Sequence, residues 1–235
     1  MERLEEALPE GDAVPGRKVE TELEIETVEG TPADIGEAPR IAVAIDGERW
    51  AAAEGERILT GTASHDELAV ALAGKPIAGH DLKSLGGGRH GLLAAAAREG
   101  VELGLEHDTM LAAYLLEPQR RTYELTELAA DAGIGIAEGA AATAGKDGKE
   151  DDGQMSLGEE VEAGLDPAEE ARLVAALAEY QAPRSGARGR ESLMREVELP
   201  LIAVLAAMER EWLKLDAERL AEVGAGFGER IDQLE

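Results

Sequence analysis

The sequence predicts an α/β protein, a mixed sheet with helices on its faces. Three observations predict it. Short apolar runs at 41–45 and 76–79 have the length of buried strands and lack a helical period. Segments with helical spacing and capping residues alternate with such runs between residues 64 and 131. Hydrophobic residues make up 44% of the 235-residue chain but aromatics only 3%, so the core must be built from Ala, Leu, Val and Ile. The length suits one substantial domain and a smaller piece.

Each element has a local reason. Residues 1–17 carry one or two helical turns and a Pro/Gly loop, too short to fold alone. KVETELEIETV (18–28) alternates apolar and charged residues, the period of a half-buried strand, and EGTPADIGEAPR reads as a linker. IAVAI (41–45) and ERWAAAEG form a hairpin around Asp46-Gly47. Ser64 and Glu67 form a capping box for a helix that ends at Gly74. KPIAG is a strand, and a second helix lies within SLGGGRHGLLAAAAREG. VELGLEH is a strand, and Asp108 caps a helix that stops before Pro118. Thr122 is a candidate cap for the next. Residues 137–165 are rich in Gly, Ala and acid and read as a loop; Asp147, Glu150, Asp151 and Asp152 lack calcium-loop spacing. Asp166-Pro167 opens a helix through Gln181, and APRSGARGR reads as a basic turn. A helix over 191–210 follows, with Pro200 as a kink site, and another begins after WLKLD.

The net charge of −27 argues against a nucleic-acid binder unless basic groups cluster. The clusters present are Arg120-Arg121 and Arg184, Arg188, Arg190, without interleaved aromatics. The second trio is the candidate DNA contact; a solvated surface is the competing reading. There is no cysteine, which excludes disulfides and thiolate zinc sites and fits a reducing compartment. No apolar run approaches the roughly 18 residues of a membrane helix. A cytoplasmic protein without a membrane partner is expected.

His80-Asp81, followed by a lysine and three glycines, has the look of a metal or phosphate site. A metal phosphohydrolase would need further ligands. The four histidines (His65, His80, His90, His107) form no paired motif. Asp81 reads more simply as a cap for LKSL.

Three blocks together resemble bacterial family-A DNA polymerases (DNA polymerase I). HDTMLAAYLLEPQRRTYELTELA (107–129) resembles a helix of the 3′–5′ exonuclease-like domain and the RxYxLxxLA stretch after it. PIAGHDLKSL (76–85) resembles the strand and following helix one motif earlier. ELPLIAVLAAMEREWLKLDAERLAEV (198–223) is similar to the helices that open the polymerase domain. The resemblance implies a ribonuclease-H-like fold over 18–190. It implies the start of the polymerase thumb over 191–235 and a linker from an absent N-terminal domain over 1–17. The polymerase carboxylates would lie beyond Glu235 and those of the 5′-nuclease before Met1. DNA and the rest of the polymerase would be the partners, with DNA binding weak for this chain alone.

An active domain of this kind holds two metal ions with four carboxylates. They come from an Asp-x-Glu strand, an Asn-x-x-x-Asp block and a Tyr-x-x-x-Asp block. The resemblance puts Asp81 at the Asn, Leu85 at the essential Asp, Asp166 at the Tyr and Glu170 at the last Asp. Asp46 and Glu48 form D-x-E, but in a hairpin turn. Leucine cannot ligate a metal. The expectation is therefore an inactive, structural exonuclease-like domain with no cofactor. The alternative is an active Mg²⁺-dependent exonuclease using displaced carboxylates Asp46, Glu48, Asp81 and Glu170. Trp212 departs from the family, which has a small residue in that turn.

Overall fold

A computed structural model describes residues 25–136, 165–187, 189–211 and 227. The expected linker at 1–17, residues 18–24 of the strand expected at 18–28, the acidic segment at 137–164, Arg188, Trp212 and, apart from Phe227, the helix expected after it lie outside the described residues.

Six strands form one mixed sheet in the order β1-β4-β3-β2-β5-β6. They are β1 (Glu26–Glu29), β2 (Ile41–Asp46), β3 (Arg49–Glu54), β4 (Arg57–Thr62), β5 (Pro76–Gly79) and β6 (Gly104–Asp108). β2, β3 and β4 run antiparallel. β5 lies parallel to β2, and β6 parallel to β5. β1 pairs parallel with β4 at the opposite edge. The expected Asp46-Gly47 hairpin is present, with Gly47 at φ 61° supplying the left-handed turn residue. β4 was not evident in the sequence, because RILTGT has two threonines and a glycine where a run would be apolar.

Both faces of the sheet are covered, which is why β2 is apolar at every residue from Ile41 to Ile45. The alternate residues divide by size. Ile41, Val43, Ile45 and Trp50 join the core beneath α1 (His65–Ala71) and α2 (Leu92–Glu99). Ala42, Ala44, Ala51, Ala53 and Ala78 face the other way, toward α4 (Leu125–Asp131) and α5 (Pro167–Ala187). Small side chains on this face let the 21-residue α5 lie close against the sheet, with Leu173, Val174 and Leu177 filling the gap. α3 (Thr109–Leu116) links the last strand to that layer.

The expected caps of α1 and α3 form. Glu67 N–H donates to Ser64 Oγ, and Glu67 Oε2 accepts from Ser64 N–H. Asp108 Oδ1 accepts from the N–H groups of Met110 and Leu111. Other expectations need correction. No helix forms over 82–85. Asp81 sits at φ 50°, a left-handed conformation incompatible with an N-cap, and the Leu82 N–H goes to Asp108 Oδ2 instead. α2 starts only at Leu92, because Gly86, Gly87 and Gly88 all take positive φ. Glu124, not Thr122, precedes α4, while Thr122 Oγ1 accepts the Glu124 N–H. α5 passes through Pro183 to Ala187, so APRS is helical rather than a turn. The final helix is interrupted as expected near Pro200. A turn α6 (Glu191–Leu193) leads into a π-helical stretch (Met194–Glu198) and then α7 (Leu199–Arg210). Proline has no N–H, and its ring crowds the carbonyl four residues back, so the wider π turn precedes it.

Candidate functional site

The C-terminal end of β2, the start of β3 and the N-terminus of α5 converge at one end of the sheet. Asp46 is the last residue of β2 and pairs in register with Arg49. Asp166 caps α5 through Oδ1, which accepts the Ala168 N–H. Glu170 lies one turn further along. The Arg49 guanidinium joins the first two. Its Nη2 lies 2.5 Å from Asp46 Oδ2 and its Nη1 lies 3.2 Å from Asp166 Oδ2. Glu170 is half-buried, and burial, with Asp46 adding its charge, pushes its carboxyl up to about 7. The structure therefore brings together Asp46, Asp166 and Glu170 and bridges the first two with a protein cation. Arg49 was not singled out in the sequence. Its signal is its place two residues beyond Gly47, where a hairpin returns it beside Asp46.

The remaining sequence-derived residues are elsewhere. Glu48 is exposed in the hairpin turn. His80 and Asp81 follow β5. His80 Nδ1 is 2.9 Å from Thr109 Oγ1, whose hydroxyl donates to the Gly79 carbonyl. The imidazole also touches the Tyr123 backbone, and burial holds it below the usual histidine range. His80 is thus a joint between β5 and α3. Lys83 pairs with Glu209 of α7 at 2.6 Å. Leu85 is buried in the core with Ile45, Leu82 and Leu92. Its side chain completes the packing at the position where the resemblance requires a carboxylate. Asp108, which sequence reasoning saw only as a cap, binds three backbone N–H groups and fixes the 80–91 turn to α3. Burial raises its carboxyl in spite of them.

Asp46 and Asp166 are thus already paired with a cation of the fold. Among the described residues no cluster of three or more His, Cys, Asp or Glu is arranged to hold a metal ion. Arg184 and Arg190, the described candidates for DNA contact, are engaged within the fold. Arg184 donates to the Tyr180 carbonyl and lies 3.4 Å above that ring's centroid. Arg190 donates to the Leu115 and Leu116 carbonyls.

No family model matches the chain. A curated relative, DNA polymerase I of Bacillus subtilis (strain 168), is 29% identical over 143 residues. This chain is similar to a segment of DNA polymerase I. The match covers 58% of this chain and 15% of that protein, so the chain spans a small part of the relative's length. A solved structure, the POL domain of Pol1 from M. smegmatis in complex with DNA primer-template and dNTP, superposes with a TM-score of 0.61. It is 22% identical and covers 83% of this chain and 33% of that one. At that identity the superposition speaks for the fold. The likeness to DNA polymerase I read from the sequence is thus supported by the sequence match, and the superposition supports the fold alone. Among the described residues no helix is long and apolar enough to cross a membrane.

Proposed function

We propose that the chain is part of a DNA polymerase I acting in DNA replication and repair. In this reading its sheet domain is an exonuclease-like scaffold without nuclease activity, and the helices from residue 191 open the polymerase domain. The strand order supports a ribonuclease-H-like domain: an antiparallel β2-β3-β4 meander extended by parallel β5 and β6. The outer face of the last helix supports a continuing polymerase domain. Leu193, Val197, Leu201, Val204, Leu205 and Met208 are exposed along one side of it, a stripe that needs cover from another part of a larger protein.

The observation that carries the inactive reading is Leu85. It is 6% exposed, which supports core packing at the position where the resemblance puts a metal ligand. Mg²⁺ requires several hard oxygen donors in near-octahedral array. Of the carboxylates that do converge, Asp46 and Asp166 share the guanidinium of Arg49.

The test is incubation with end-labelled single-stranded DNA in Mg²⁺ or Mn²⁺. No 3′ shortening above a metal-free control is expected. Metal-dependent shortening abolished by Asp46→Ala or Glu170→Ala would overturn the reading in favour of displaced carboxylates.

A further inference from the structure

A groove of about 500 Å³ lies between α2, β6 and α7, remote from the carboxylates at the end of β2. Its walls include Leu93, Val101, Leu105 and Leu199, and Arg195 and Arg210 stand at its rim. Its volume falls within the range of ligand sites, about 300–1,000 Å³. Leu103, Gly104 and Leu105 line it as well. β6 is the outermost strand, and among the described residues nothing pairs with its far edge. A strand edge beside an apolar trough is the arrangement that accepts an added extended peptide, with backbone hydrogen bonds to the strand and alternate side chains in the trough.

The charges specify the occupant. Three ionisable groups line the groove, Arg195 and Arg210 on the α7 side and Glu102 beside β6, so the lining is net positive in a chain of net charge −27. Arg210 has no carboxylate partner among the described residues. Arg195 pairs with Glu191 at 2.6 Å, but it is 68% exposed, and such a surface pair contributes little and exchanges readily. The two arginines are fifteen residues apart along one nearly continuous helix, roughly 20 Å at 1.5 Å per residue. An extended strand covers that span in about six residues. Repulsion from the more distant acidic surface is screened beyond about 8 Å at physiological ionic strength, so at the groove two arginines stand against the one carboxylate of Glu102.

We propose that this groove binds a short extended peptide with an apolar centre and a carboxylate at each end. It engages Arg195 and Arg210 and adds to the free edge of β6. The proposal does not depend on the nuclease reading.

The test is fluorescence anisotropy at physiological salt. The probe is a labelled heptapeptide with aspartate at both ends and alternating leucine and serine between them. Saturable micromolar binding is expected. A control with asparagine in place of both aspartates, and a control with the aspartates adjacent at the centre, should each bind at least tenfold more weakly. Arg195→Gln and Arg210→Gln should each weaken binding several-fold, and Ala203→Trp should abolish it by filling the trough. All three positions are exposed, so the variants should keep the parent's melting temperature. Equal binding of parent and asparagine peptides, or undiminished binding to A203W, would overturn the proposal.

Discussion

Glu170 shows how a residue can keep its place in the sequence and change its chemistry. It stands where the resemblance puts a metal ligand, yet burial and Asp46 raise its carboxyl to about 7 from an ordinary 4.5. A raised carboxyl makes the folded state bind the extra proton. Its favourable contribution is complete below about pH 4.5 and is lost as pH rises through about 7. Glu170→Gln cannot ionise. Relative to the parent it should gain stability with pH, from little at about pH 5 to as much as about 3 kcal/mol at about pH 8. His80 and His107 are both held low by burial and oppose folding as pH falls below their ordinary range. They are common to both proteins, so the difference isolates Glu170. Urea melts across that range check it, and a pH-independent difference would show that Glu170 stays ionised in the fold. The sequence placed Asp46, Asp166 and Glu170 as candidates. It could not show that Arg49 would reach two of them, because that contact spans 117 residues in one case.

Elements with local causes were legible, and those held by distant partners were not. The capping box at Ser64, the Asp46-Gly47 hairpin and the glycine end of α2 are written within a few residues. The 80–91 turn is different. Its leading N–H is satisfied by Asp108, 26 residues away, so a local reading mistook Asp81 for a cap. β4 was missed because its strand identity comes from pairing with β3 and β1, not from its own pattern. The two aspartate and serine anchors should therefore differ in magnitude. Ser64→Ala removes an exposed cap and should cost about 1 kcal/mol. Asp108→Ala strips one buried and two part-buried N–H groups of their acceptor and should cost about 3 kcal/mol. Asp108→Asn should not rescue it fully, because its amide NH₂ would face either the Leu82 N–H or those of Met110 and Leu111. Chemical denaturation orders the three variants; equal costs for S64A and D108A would refute the anchoring role.

At the scale of the molecule, charge decides what the domain can do by itself. Non-specific binding to DNA depends on cations released from phosphates by Lys and Arg. This chain has 23 Lys and Arg against 50 Asp and Glu. The two described arginines of the trio 184–190 that stood out in the sequence already serve Tyr180, Leu115 and Leu116 within the fold. Freeing them for phosphates would break those contacts. On the proposed reading, the sheet domain should therefore contact DNA only as a passenger of a larger polymerase. Titrating labelled single-stranded DNA with this chain should give a dissociation constant weaker than about 100 μM at physiological salt, the weak end of non-specific binding. Affinity should change little between 50 and 200 mM salt, because log K falls by about 0.7 per phosphate contacted for each decade of salt on a single strand. Reversing Arg184 and Arg190 to glutamate should destabilise the fold more than it alters that binding. Tight binding with a steep salt slope, lost in those two variants before any loss of stability, would show that the arginines face phosphates and that the surface is built for DNA after all.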